Sequence, residues 1–262
     1  MAAVLLTVDL GNTRCKLCVW RAHDAPRSAR PLAAYGFESA SAAIEEVAAC
    51  VRSLPGVARI GISAVASVEL EHALVRALEL AAPGRVQDQP DPGLDVRVHE
   101  PEHVGRDRLF AARGAWELEP ESAIVLDAGT ALTVDALERA LPRPRFLGGA
   151  IAAGPRLIAE ALAGHTARLP LVEPKPGVPA LGRDTHAALQ SGIAVGFRGA
   201  AAELARRIAQ ECGLAAVRLV ITGGAAPFLV GESLCPGRAT IHDEHLVHRG
   251  ILAALRGLDT ER

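Results

Sequence analysis

The amino-acid sequence predicts an α/β fold built from two duplicated halves. Short apolar runs of strand length alternate with stretches of helical periodicity along all 262 residues. One strand-turn-strand pattern also occurs twice. VDLGNTRCKLCVW near the start and LDAGTALTVDAL near the middle share an apolar strand, an Asp-x-Gly turn, a threonine and a returning strand. Half of the residues are hydrophobic, enough to bury a core in each half.

The elements follow in order. Residues 4–9 and 14–20 read as strands joined by a tight turn at Gly11-Asn12-Thr13. Residues 39–54 have helical periodicity, with Ser39 at the start and Pro55-Gly56 at the stop. A strand over 58–64 and a helix over 68–80, ended by Pro83-Gly84, come next. Residues 85–100 are mostly connection, with a strand near 94–98, and 106–116 is a helix that contains Gly114. The pattern then restarts near residues 117–122. It gives a strand over 123–127, the turn Ala128-Gly129-Thr130, a strand over 131–137 and a third over 146–151. A helix over 155–162, a loop with four prolines over 170–179 and a long helical stretch over 184–212 with a Ser-Gly interruption follow. A strand over 217–222 runs into Gly223-Gly224, and a helix over 245–255 closes the chain.

Composition removes several classes of function. A net charge of −2 offers neither a basic footprint for nucleic acid nor a polybasic membrane segment. No apolar run reaches the length of a membrane span, and the start lacks the marks of a signal peptide. Five cysteines without such a segment point to a reducing cytoplasm. Cys15 and Cys18 form C-x-x-C, which reads either as a redox or zinc half-site or as two residues of a strand. No second pair with ligand spacing supports the first reading. The nine histidines are scattered without H-E-x-x-H spacing.

The chemistry lies in the two hairpin turns. Phosphates need backbone N–H donors in a turn of small residues. Gly11, Asn12 and Thr13 supply one such loop and Gly129 and Thr130 a facing one, across a cleft between the halves. Asp9 and Asp127, at the strand ends, would hold a cation that offsets phosphate charge. Two ordinary hairpins with Asx-type turns are the alternative. Neither a Walker loop nor a dinucleotide fingerprint is present. TGGAAPFL, from Thr222, either lets the backbone approach a flat ligand such as adenine or is a plain strand-to-helix turn. VGRDRLFAARGAW brings Arg106, Asp107 and Arg108 to a helix start, either as an exposed N-terminus or as a base with an anion clamp.

Taken in order, DLGNTR, GRDR, LDAGTALTVD, GGAIAAG, ARLP, GRDTHAALQSGI, ITGGAA and DEHLVHRGI resemble the type III pantothenate kinases, the CoaX family of the actin-like superfamily of acetate and sugar kinases. The resemblance covers almost the full length. It implies two actin-like (ribonuclease H-like) halves, 1–118 and 119–262, with a nucleotide cleft between them. It implies phosphorylation of pantothenate by ATP to 4′-phosphopantothenate, the first step of coenzyme A biosynthesis, with Asp107 as catalytic base. ATP would be held by Asp9, Leu10, Gly11, Asn12, Thr13, Arg14, Cys15, Lys16 and Thr130, with Gly223 and Gly224 at the adenosine. Gly105, Arg106, Asp107, Arg108 and Thr185 match pantothenate contacts. Asp127 matches the ligand of a monovalent cation, K⁺ or NH₄⁺, and Asp9 would reach Mg²⁺ through water. The resemblance implies a homodimer, with the acceptor pocket near the subunit interface.

The sequence departs from the family pattern at two places. Val98 stands where a tyrosine often contacts pantothenate, and Ala153 where a proline often stiffens the glycine-rich strand. Val98 keeps a second reading open, a non-catalytic nucleotide-binding regulator on the same fold. A relative that uses polyphosphate or phosphorylates another hydroxyl is a third.

Overall fold

The computed structural model describes residues 3–38, 41–214, 217–231, 234–235 and 237–260. The chain divides into two compact units. One comprises Met1–Glu121, Ala140–Arg145 and His245–Arg262, the other Ser122–Arg139 and Phe146–Glu244.

The first unit begins with β1 (Val4–Leu10), β2 (Arg14–Arg21) and β3 (Ala33–Glu38). Then come α1 (Ser41–Ser53), β4 (Val57–Ala64), α2 (Val68–Ala81), β5 (Val86–Asp88), β6 (Asp95–Val96) and α3 (Arg106–Leu118). Five strands form one sheet in the order β3-β2-β1-β4-β5. β1 runs antiparallel to β2, with Asp9 opposite Lys16 and Thr7 opposite Cys18. It runs parallel to β4, with Asp9 opposite Ser63. Leu6, Val8 and Leu10 point to one face, where they pack with Val47 and Val51 of α1 and Leu74 and Leu78 of α2. Burial on both faces explains the nearly continuous apolar run of β1. Ser67 caps α2 by accepting from the Leu70 N–H at 3.4 Å. The helix start expected at Ser39 lies outside the described residues. β3 and β5 were not expected; β3 is largely exposed and holds Gly36, so it lacks an alternating apolar signal.

The second unit contains β7 (Ala123–Ala128), β8 (Ala131–Glu138), β9 (Arg145–Ala153), α4 (Pro155–His165), α5 (Thr185–Glu211), β10 (Arg218–Thr222) and β11 (Thr240–His242). Its strands lie in the order β11-β10-β7-β8-β9. β7 pairs antiparallel with β8 and parallel with β10. Phe197, Ala201, Ala205 and Ala209 recur every four residues along α5 and pack in one core with Ile124, Leu126, Val134, Leu219 and Ile221 of the sheet. Small residues at this spacing let the helix lie close to the strands. α5 is one continuous helix of 27 residues. The Ser-Gly interruption at Ser191-Gly192 does not break it.

The closing helix α6 (Leu246–Thr260) belongs to the first unit. Its Leu252 and Leu255 share a core with Leu5, Cys18 and Trp20, on the sheet face opposite α1 and α2. Arg249 donates to the Pro26 and Ala29 carbonyls, and Arg59 donates to the Leu255 carbonyl at 2.8 Å. Two glycines let α6 cross α3 closely. A Cβ on Gly114 would stand 2.1 Å from the Leu246 carbonyl, and one on Gly250 would stand 2.0 Å from that of Phe110. That crossing accounts for Gly114 inside a helix. Among the described residues no helix is long and apolar enough to cross a membrane.

Candidate active site

In the first unit, the β1–β2 turn closes by a hydrogen bond from the Gly11 N–H to the Arg14 carbonyl at 3.0 Å. Asn12, Thr13 and Arg14 are exposed at its tip, and Asp9, Gly11 and Lys16 are half-buried. Leu10 is buried in the core shared with α1 and α2. Cys15 joins that core, whereas Cys18 lies in the core on the opposite sheet face. Burial, with the Asp9 carboxylate adding to it, pushes the Cys15 thiol up to about 12. Opposite faces and a protonated thiol leave C-x-x-C as strand packing.

Beneath Asp9 on its own sheet face, Thr7 Oγ1 accepts from Trp20 Nε1 at 2.8 Å and lies 2.9 Å from His248 Nδ1. The Thr7 hydroxyl keeps one proton and one lone pair for the imidazole, and the His248 tautomer sets which of the two donates. Burial above all, then the Lys16 charge, pushes His248 down to about 3, so the ring is neutral near pH 7. Sequence reasoning missed this network. A threonine in an otherwise apolar strand was its one visible sign.

The start of α3 carries a further charged group of this unit. Asp107 Oδ1 accepts from the Arg108 N–H at 2.8 Å. Burial raises the Asp107 pKa above the ordinary carboxylate value, while the Arg108 N–H and guanidinium oppose the rise. Gly105 caps the helix without a side chain, and a Cβ there would stand 2.6 Å from Asp107 Oδ1 and 3.6 Å from Val65 Cγ1. Arg106 points elsewhere: its Nη2 donates to the Gln89 carbonyl at 2.9 Å and to that of Pro90 at 2.5 Å. Its guanidinium also lies over the Phe110 ring, 5.2 Å from the centroid. Val98 is half-buried just beyond β6.

In the second unit, Asp127, one residue before the end of β7, lies between Thr222 of β10 and Thr133 of β8. The Gly129 N–H bonds to the Ala131 carbonyl at 2.9 Å, the counterpart of the Gly11 bond, and Thr130 is exposed at the tip. Gly223 follows with φ 92°, and a Cβ there would stand 2.5 Å from Asp127 Oδ1 and 2.4 Å from the Ala128 carbonyl. The Ala225 N–H bonds to that same carbonyl at 2.7 Å. The Gly223-Gly224 turn therefore wraps the strand end that carries Asp127. The Gly154 N–H bonds to the Thr130 carbonyl at 3.0 Å, just after exposed Ala153. Thr185 is exposed in the first turn of α5, where Asp184 caps the helix by accepting from the Ala187 N–H at 2.8 Å. Gln190 and Ser191, also missed from sequence, fasten the proline loop. The Gln190 amide bonds to Lys175 N and the Glu173 carbonyl, and Ser191 Oγ donates to the Ala180 carbonyl at 2.5 Å.

Residues 5–207 match the family described as type III pantothenate kinase. The chain is 36% identical over 255 residues to the type III pantothenate kinase of Thermus thermophilus, covering 95% of this chain and 97% of that one. Among solved structures it resembles a glucokinase from an Antarctic psychrotroph, with a TM-score of 0.52 at 13% identity, over 98% of this chain and 100% of that one. It also resembles the archaeal actin homologue Ta0583, with a TM-score of 0.50 at 12% identity, over 97% and 99%. These two likenesses establish the actin-like fold of the chain. The sequence match carries the family: this chain belongs to the type III pantothenate kinases.

Proposed function

We propose that this protein transfers the γ-phosphoryl group of ATP to pantothenate, giving ADP and 4′-phosphopantothenate, the first step of coenzyme A biosynthesis. The observation that carries the reading is Asp107, a carboxylate at the first turn of α3 whose pKa is raised by burial. The pantothenate hydroxyl must lose a proton as it attacks phosphorus, and Asp107 accepts it. A pKa raised toward the working pH suits a general base. Arg108 keeps the carboxylate ionised between turnovers and flanks the acceptor, with Gly105 and Thr185 as further acceptor contacts. Val98 offers only apolar contact where the family often has a hydroxyl.

The two hairpin turns bind phosphate. Gly11 and Gly129 already use their N–H groups to close the turns. Phosphate oxygens therefore fall to Asn12, Thr13, Lys16 and Thr130, and the adenosine to Gly223 and Gly224. Asp9 and Asp127 are hard oxygen donors of the kind that suit Mg²⁺ and K⁺. Among the described residues no three His, Cys, Asp or Glu side chains gather as a metal nest. Mg²⁺ keeps its waters and binds through one or two carboxylates and the substrate phosphates. Bound cations supply charge neutralisation during phosphoryl transfer. We assign Asp9 to Mg²⁺ through water and Asp127 to the monovalent cation, and read the protein as a cytoplasmic homodimer.

A coupled assay of ADP release with ATP, Mg²⁺, K⁺ and pantothenate tests the reading. Pantothenate-dependent turnover is expected. Nucleotide binding without turnover on any acceptor would identify a regulator instead.

A further inference from the structure

We propose that Arg106 is a positioning residue for Asp107, anchoring helix α3 to the Gln89-Pro90 loop, and that it does not touch the acceptor substrate. This rests on the kinase reading above.

Two features set the anchor apart from an ordinary surface arginine. Its Nη2 converges on two consecutive carbonyls, Gln89 at 2.9 Å and Pro90 at 2.5 Å, and its guanidinium covers Phe110 of its own helix. The loop it grips is itself locked. Gln89 has φ 45°, the one positive-φ non-glycine residue among the described residues. Its side chain holds that conformation by donating to Glu71 Oε1 at 2.7 Å and to the Ala64 carbonyl at 3.3 Å. Ala64 ends β4 opposite Leu10, and the next residue, Val65, donates its N–H to the Leu10 carbonyl at 3.0 Å. Hydrogen bonds thus run from the end of β1 through Val65 and Ala64 to Gln89 and Arg106, one residue before Asp107. A Cβ built on Gly105 would meet both Asp107 Oδ1, at 2.6 Å, and that same Val65, at 3.6 Å. A backbone held off its preferred conformation by three elements marks a position where geometry is maintained against a cost. Here it sets the distance between the phosphate-binding hairpin and the base.

Steady-state kinetics on Arg106→Met, Arg106→Lys, Gln89→Asn and the Arg106→Met/Gln89→Asn pair, with thermal melts, test the proposal. Methionine keeps the packing on Phe110 and loses the donors. Asparagine tolerates the left-handed backbone but falls short of Ala64 and Glu71. For Arg106→Met the expected result is a kcat loss on the order of 10²-fold, the scale of a base displaced by about 1 Å, with KM for pantothenate unchanged. Arg106→Lys recovers part of that loss through a single donor. Gln89→Asn reproduces it, and the double variant is no worse than the poorer single one. A raised KM for pantothenate at held kcat in Arg106→Met would make Arg106 a substrate contact and overturn the proposal. If that variant does not fold, Gln89→Asn decides alone, and a wild-type kcat overturns it. A wild-type protein without pantothenate-dependent turnover removes the kinase reading and the proposal with it, a result distinct from a KM change on an active enzyme.

Discussion

The Asp107 carboxylate occupies the space in which a side chain on Gly105 would begin, its Oδ1 only 2.6 Å from the ideal Cβ position. Real Cβ atoms do not approach an oxygen so closely, so Gly105→Ala must push the carboxylate out of its notch. The expected outcome is a kcat lower by roughly 10- to 100-fold with little change in melting temperature, read by parallel kinetics and calorimetry. Full activity in the alanine variant would show that the base is tolerant of its position.

Burial raises the Asp107 pKa in the folded protein. A carboxyl whose folded pKa lies above its unfolded value contributes stability below the unfolded pKa and loses it as pH rises through the folded one. At neutral pH the ionised carboxylate is therefore a liability. Asp107→Asn is expected to melt higher than wild type near pH 7, and the gap is expected to close as pH falls below the carboxylate range. Melting curves across pH check the sign. The same raised pKa places the acid limb of the wild-type kcat/KM profile, which reports the free enzyme, above the ordinary aspartate range.

His248 behaves in the opposite sense. Its pKa falls from 6.5 to about 3 in the fold, so its stabilisation is complete above pH 6.5 and is lost as pH drops toward 3. The slope approaches about 1.4 kcal/mol per pH unit. His248→Leu removes the bond to Thr7 and is expected to destabilise by about 1 kcal/mol at pH 7, with a gap to wild type that shrinks in acid. Denaturant titrations at pH 7 and pH 5 separate the two terms, and an unchanged gap would contradict them.

Cys15 and Cys18 are expected to resist a thiol reagent in the folded protein and to react on unfolding, because both are buried and the Cys15 thiol is protonated. Chelators should leave activity intact in the presence of excess Mg²⁺. Rapid labelling of the native protein at either position would reopen the redox reading.

Replacing K⁺ by Na⁺ is expected to lower turnover, and Asp127→Ala to abolish the difference between the two ions. Equal rates in both salts with the wild-type enzyme would remove the cation from Asp127.

The sequence made the two hairpins legible because Asp-x-Gly at the end of a short apolar run, followed by a returning strand, is a local signal, repeated. It hid the C-terminal helix's allegiance, since packing of Leu252 and Leu255 against Leu5 and Trp20 is a contact between the two ends of the chain. It also could not separate Arg106 from Arg108. Both stand at a helix start, and only the course of the loop at Gln89-Pro90 decides that Arg106 is the one that grips it. The wrapping of Asp127 by Gly223 was invisible for the same reason. The two are far apart in sequence, and the positive φ that joins them has no composition of its own beyond a glycine.

The most direct measurement of the central claim is mass spectrometry of the products formed from ATP and pantothenate by wild type and by Asp107→Asn, with ATP binding measured in parallel. The expected result is one 4′-phosphopantothenate per ADP from wild type, and from the variant intact ATP binding with turnover reduced by about 10²- to 10⁴-fold. ATP consumed by wild type without 4′-phosphopantothenate, or a variant that works at the wild-type rate, would contradict it.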